Sequence, residues 1–388
     1  MTNSRLKRLE VDFFSTLDDR LKDIEISDKE LINMSIGVPD GRTPDHVLES
    51  VKSSIDDIQN HKYAGFKVRE NLIQAVKDFY KRHYDVHLDD ENIALLYGTK
   101  NAILTFPSFF IEPGEGVFLP NPGYVDYLPG VKLADGEQYN LDLTEENNFL
   151  PDYDRLNQAE LDNARLIVLN YPSNPLGAVA TKEFFDETVE RFKNTNTMII
   201  NDFAYSAFGF DKKAPSILQS DQNFETSMEL FSLSKGFNMS GFRIGFAVGN
   251  RDMVGTLNRY HAYSQAGMWG VQQEAATTAL NDSDDFLVKQ NEIFKRRRDM
   301  FVNGLREAGI PVNNIEGGIF GWVETPKGFN GEEFFEYLLK EQSIMVIPGF
   351  PFGPLGENRI RVSLAIPDED LEECIERFKS IKHLWEEK

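Results

Sequence analysis

The spacing of apolar residues changes several times along this chain, and each change marks a new element. Over residues 1–30, Leu6, Leu9, Phe13, Phe14 and Leu17 recur at helical intervals among charges and predict one or two amphipathic helices, a helical arm. Residues 32–40 read as a short strand broken by Gly37 and Pro39. Helices follow over 46–58 and, around the Gly65 turn, 63–80. Short apolar runs then recur at 93–97, 116–119, 164–169, 197–200, 228–233 and 246–249, with helical spacing over 154–161 and over 181–192, where Thr181 is placed as a cap. The polar stretch 134–150 reads as loop, with short connecting strands at 131–133 and near Leu141. Beyond residue 250 the pattern predicts helices over 254–261, 265–280 and 284–308, strands over 317–323, 344–349 and 358–365, and helices over 334–340 and 371–384. Strands alternating with helices between 93 and 249 are the cadence of an α/β sheet with crossover helices. The expected architecture is a three-layer α/β/α large domain with a mostly parallel sheet, plus a smaller α+β domain.

Composition narrows the partners. With 388 residues, the chain exceeds what one hydrophobic core usually organises, so a large and a small domain are expected. Lys and Arg number 41 against 63 Asp and Glu, a formal charge of −22, which disfavours nucleic acid and anionic membrane. The basic run at 295–298 lacks interleaved aromatics and reads as a solvated helix face. A single cysteine excludes an intrachain disulfide and fits a reducing, cytoplasmic setting. No apolar run approaches the length of a membrane span, and no apolar signal core follows the first charges.

Candidate chemistry sits just after the strands, where open α/β sheets bind ligands. Gly98-Thr99 follows a strand and opens a helix, an arrangement that cradles phosphate and also serves as an ordinary turn and cap. Tyr124 ends a rigid loop, and Asn174 lies in a second loop stiffened by Pro172 and Pro175. Asp202 ends an apolar strand, where a carboxylate either caps a turn or holds a buried proton. Lys235 sits in the segment Ser232-Leu233-Ser234-Lys235-Gly236-Phe237-Asn238-Met239-Ser240-Gly241-Phe242-Arg243, whose apolar setting favours a partly desolvated, nucleophilic amine. Arg361 stands among apolar neighbours on a strand, suited to an ion pair or to a planar carboxylate.

The Lys235 segment resembles the cofactor-lysine signature of the fold-type I pyridoxal-phosphate enzymes, in the class I/II aminotransferase branch, and the similarity runs from about residue 32 to 385. The resemblance implies pyridoxal 5′-phosphate held by Lys235 as a Schiff base. It implies phosphate contacts from Gly98, Thr99, Ser232 and Arg243, with Lys100 as the variant of the diaminopimelate-type subgroup. Tyr124 would lie against the pyridine ring, Asn174 and Tyr205 would reach its O3′, and Asp202 would face its nitrogen. Arg361 would grip the substrate α-carboxylate, with Asn174 and Gly37 also at the substrate. Tyr63 would reach the phosphate of a neighbouring subunit, making a homodimer with shared active sites. Leu176 stands where the family commonly has threonine, a mild departure. The implied domains are an arm with part of the small domain at 1–45, the cofactor domain at 46–290 and a small C-terminal domain at 291–388. The implied activity is transfer of an amino group from an L-amino acid to a 2-oxo acid. A carbon–sulfur lyase using the same cofactor, or a regulatory module derived from such an enzyme, would share most of these residues. The donor stays open among dicarboxylic or acylated diamino acids, alanine, aspartate, methionine and aromatic amino acids.

Overall fold

A computed structural model describes residues 4–9, 13–23, 29–65 and 67–386; the rest of the helical arm expected within 1–30 lies outside the described residues. The strands are β1 (Ile32–Asn33), β2 (Ile93–Leu96), β3 (Gly116–Asn121), β4 (Glu137–Asp142), β5 (Ala164–Leu169), β6 (Met198–Asp202), β7 (Ser227–Ser232), β8 (Gly245–Gly249), β9 (Phe320–Glu324), β10 (Ile344–Met345), β11 (Ile347–Pro348) and β12 (Arg359–Ser363). Seven of them form one sheet in the order β2-β8-β7-β6-β5-β3-β4. Only β8 runs against its neighbours; the other pairings are parallel. The central strands are apolar without alternation because helices cover both faces, and every residue of β7 and β8 is buried. Two apolar clusters lie on the two sides of this sheet, the smaller around Phe106, Tyr127 and Leu166.

A second region is built from the antiparallel sheet β11-β12-β9 and the two-stranded sheet β1-β10. The fold is therefore a large, mostly parallel α/β unit with a smaller α+β region. Long helical periods produce helices Glu70–Tyr84, Gly270–Asp282 and Asp284–Glu307. Thr181 caps helix Lys182–Phe192 by accepting the Phe184 amide at 3.1 Å. No helix among the described residues is long and apolar enough to cross a membrane.

Three expectations fail for identifiable reasons. Residues 131–133 are the end of helix Tyr127–Leu133, whose apolar side faces the sheet at Tyr127 and Val131. The polar stretch 134–150 contains β4, an edge strand in which Leu141 alone is fully buried, so it needed no apolar alternation. The basic run is not a solvated face. Arg297 and Arg298 are buried; Lys295 and Arg298 pair with Asp211, and Arg296 and Arg297 pair with Asp368.

Candidate active site

Loops at the carboxyl ends of β2, β3, β5, β6 and β7 open into one hollow of about 410 Å³, and β12 and the segment after β1 close it from the other side. Gly37, Thr99, Lys100, Tyr124, Asn174, Asp202, Tyr205, Lys235 and Arg361 all line it.

Asp202 ends β6 and is 4% exposed. Its Oδ2 accepts the Tyr127 hydroxyl at 2.9 Å, and its Oδ1 accepts the Ala204 amide at 3.3 Å. Burial pushes its carboxyl up to about 6, against the pull of the Tyr127 bond, the Ala204 amide and the Lys235 charge. Lys235 follows β7, and its Nζ donates to the Gly37 carbonyl at 2.5 Å. Burial, then the charges of Arg361 and Arg243, lower its ammonium to about 8 while Asp202 opposes them. The amine therefore loses its proton far more readily than a surface lysine.

Arg361 lies on β12 and is 3% exposed. Its Nη1 donates to Asn174 Oδ1 at 3.0 Å and its Nη2 to the Ser35 carbonyl at 2.7 Å. Among the described residues, its buried Nε has no partner. Aromatic rings surround the guanidinium, with Phe320, Phe352 and Phe14 centroids at 4.2, 5.0 and 5.3 Å from its carbon. Burial lowers its pKa to about 10. Asn174 is tied in turn to Asn170, whose Oδ1 accepts the Asn174 amide at 2.7 Å and whose Nδ2 donates to the Asp202 carbonyl at 2.8 Å. One asparagine thus joins the ends of β5 and β6. Tyr124 meets Tyr127 edge to face at 5.6 Å, and Tyr205 meets Phe320 likewise at 5.7 Å. Burial raises the pKa values of both Tyr124 and Tyr205.

Gly98, Ser232, Arg243 and Tyr63 do not line this hollow. Gly98 has φ +79°, and a Cβ there would come within 2.4 Å of Arg243 Nη2, so the turn and the guanidinium are in direct contact. Arg243 Nη1 donates to the Ser240 carbonyl at 2.9 Å. Ser232 Oγ accepts the Ser234 amide at 3.1 Å, and Ser232 lines a separate hollow of about 370 Å³ with Phe79 and Phe237. Lys100 pairs with Asp126 at 2.9 Å. Tyr63 is 87% exposed. Sequence reasoning missed Tyr127, Asn170, Ser35 and Phe320, which act on the others through tertiary contacts. The helical spacing of Phe14 and Leu17 was visible, but not that both line this hollow.

The model of the class I and II aminotransferases matches residues 29–378. The chain is 37% identical to L-glutamine–4-(methylsulfanyl)-2-oxobutanoate aminotransferase of Bacillus subtilis, over 96% of this chain and 94% of that protein. It is 35% identical to LL-diaminopimelate aminotransferase of Aquifex aeolicus, over 98% of this chain and 99% of that one. An aminotransferase structure from Staphylococcus aureus superposes with a TM-score of 0.95 at 44% identity, covering 99% of this chain and all of the other. The chain belongs to the class I and II aminotransferase family, close to its diaminopimelate subgroup. It is a pyridoxal-phosphate-dependent transaminase acting on small amino acids and 2-oxo acids.

The hollow suits that cofactor. It offers a desolvated amine for an aldehyde, a buried carboxylate with free lone pairs for a ring N–H, and a tyrosine at its wall for a planar heterocycle. The buried Arg361 Nε, without a partner among the described residues, adds a donor on the opposite side of the site.

Proposed function

We propose that Lys235 is the residue that carries pyridoxal phosphate and that it also moves the substrate proton. When bound, the cofactor supplies an aldehyde that captures amines and a ring that accepts electrons from Cα. Arg361 binds the α-carboxylate through its planar fork, with Asn174 Oδ1 holding one side of the guanidinium in place. Lys235 Nζ, as a free amine, would take the proton from Cα and deliver it to the former aldehyde carbon, on the far side of the substrate nitrogen. Asp202 would share a proton with the ring nitrogen, and Tyr127 orients that carboxylate. Tyr124 would hold the ring by its face, and Tyr205 with Asn174 would hold its oxygen. Gly98, Thr99, Lys100, Ser232 and Arg243 form the phosphate end, with Tyr63 reaching it from a second subunit.

The observation that carries this reading is the convergence of Lys235, Asp202 with Tyr205, and Arg361, from three separate segments, on one hollow. Borohydride reduction of the loaded enzyme followed by peptide mass spectrometry should find pyridoxyl label on Lys235. Lys235→Ala should lose the label and at least about a thousandfold in transamination rate. Full activity in that variant would overturn the assignment.

The substrate side of the hollow supports an apolar side chain. Phe14, Leu17, Ile36, Val38 and Met345 line it, and its one cation besides Lys235 and Arg361 among the described residues, Lys100, is already paired with Asp126. Among the described residues lining the hollow, a second carboxylate would find no free cation. The relative named for 4-(methylsulfanyl)-2-oxobutanoate matches that chemistry. In a single-turnover screen, methionine and other apolar amino acids should convert faster than aspartate or diaminopimelate. A preference for either acid would exclude this substrate class.

The same proposal includes a homodimer. Ile55, Ile58, Tyr63, Tyr263 and Trp269 are exposed large apolar residues from two stretches joined where Gly267 packs on Gly65. The division into an arm at 1–45, a cofactor domain at 46–290 and a small domain at 291–388, and a cytoplasmic location, are part of the proposal too. Sedimentation of the loaded enzyme should give twice the chain mass.

A further inference from the structure

The basic run at 295–298 was the one sequence feature the reaction did not absorb, and its burial asks for a reason. Arg297 projects from helix Asp284–Glu307 and is 5% exposed. Its Nη1 and Nη2 donate to Asp40 Oδ1 and Oδ2 at 2.8 and 2.9 Å, its Nε donates to Asp368 Oδ1 at 2.8 Å, and Nη1 also reaches the Leu364 carbonyl at 3.3 Å. A bidentate pair of this kind fixes direction as well as distance.

Asp40 lies on the strap that crosses the hollow after β1. The strap is anchored through Met34, whose N–H pairs with Met345 and whose carbonyl accepts Ser363. Among the described residues, no backbone–backbone hydrogen bond holds residues 36–43. What holds them is side chains: Lys235 on the Gly37 carbonyl, Arg297 on Asp40, and Asn238 with Arg42 and Thr43. The Lys235 tie uses the amine that the proposed chemistry consumes, so it cannot last through turnover. Among the described residues, the Arg297 tie then carries the middle of the strap alone, and it is an ion pair.

The strap also bears on the substrate grip. A Cβ on Gly37 would stand 2.3 Å from the Phe320 ring, so the strap lies directly on that ring. The same ring also carries the Arg361 guanidinium, 4.2 Å from its centre. Moving the strap moves a wall of the carboxylate pocket. Ile36 and Val38, which line the hollow on the same strap, would move with it.

We infer that the Asp40–Arg297 pair is a positioning latch that holds the strap over the hollow and so sets the affinity for the amino donor. This rests on the reading of Lys235 and Arg361 given above. Neither latch residue lines the hollow, so the latch acts through Gly37 and Phe320.

The test uses the loaded enzyme and the near-isosteric variant Asp40→Asn, which leaves Arg297 its bonds to Asp368 and Leu364. KM for the amino donor should rise roughly five- to twentyfold, the loss of one charged hydrogen-bonded pair, with kcat within about twofold. Limited proteolysis within 35–41 should quicken roughly tenfold, and cleavage within 320–324 should not change. Asp368→Asn, which weakens Arg297 on the side away from the strap, should leave KM within about twofold. An unchanged KM or unchanged cleavage in Asp40→Asn would overturn the latch, and so would an equal KM effect in Asp368→Asn, which would make Arg297 a packing residue only. Pyridoxyl label on Lys235 with a silent Asp40→Asn defeats the latch alone. Absence of that label defeats the underlying assignment.

Discussion

Two carboxylates lie on adjacent strands, and both are buried without a salt bridge among the described residues. Asp202 ends β6; Glu229, 0% exposed, sits in the middle of β7 opposite Asn201. Burial raises both, Asp202 to about 6 and Glu229 to about 7. Their surroundings separate them. Glu229 is enclosed by four donors: the Tyr80 and Ser216 hydroxyls at 2.8 and 2.9 Å on one oxygen, the Ile217 amide and Asn201 Nδ2 at 3.0 and 3.2 Å on the other. It ties helix Glu70–Tyr84 and the turn at 216–219 to the sheet and lines neither of the two hollows described above. Asp202 has two donors and forms part of the wall of a hollow. A raised pKa therefore does not by itself mark a reactive group; a raised pKa with unfilled acceptor capacity facing a cavity does.

The contrast can be broken or sharpened by substitution. The largest effect is expected at Asp202. Asp202→Asn keeps the shape, and transamination should fall by roughly a thousandfold or more while the melting temperature moves little. Comparable loss in Glu229→Gln would erase the distinction.

Next is Glu229→Ala, which strands four buried donors and should cost about 3–5 kcal/mol of stability in denaturant titration. The rate per folded active site should stay within about twofold.

The pH dependence of stability comes third. Each carboxyl has a folded pKa above its unfolded value, so the folded state holds protons more tightly. The stabilisation is full below the unfolded value and is lost as pH rises through the folded one. For Glu229 the descent runs from about pH 4.5 to about 7, worth about 3 kcal/mol. For Asp202 in the cofactor-free protein it runs from about 3.8 to about 6. Glu229→Gln should flatten the upper part of that slope, and an unchanged slope would count against the burial account. The smallest effect should come from Tyr127→Phe, which removes one donor from Asp202 and should slow transamination roughly tenfold or less. Its stability curve should keep the Glu229 descent.

Much of the fold was legible because burial on two faces leaves a plain mark. β5, β6 and β8 are mostly apolar runs, buried along nearly their whole length, and the helix at 284–307 shows its period over many turns. β4 was legible only as a short strand near Leu141, and its extent over 137–142 was not, since an edge strand with one buried residue has no periodicity to read. The segment at 344–349 looked like one strand and is two, β10 pairing with β1 and β11 with β12, because pairing partners far along the chain divide it. For the site, residues inside local motifs could be named, whereas Tyr127, Asn170 and Phe320 carry no local signature.

By itself the sequence determined the order of strands and helices and which polar residues stand at strand ends, because solvent exclusion and turn chemistry act over a few neighbouring residues. Only the tertiary structure decided which of those residues share a hollow, which buried acid is closed and which is open, and that a basic run serves as a clamp. Those properties depend on what arrives from distant segments. The charge on Arg297 was plain from the start; the two carboxylates that give it a task lie 257 and 71 residues away along the chain.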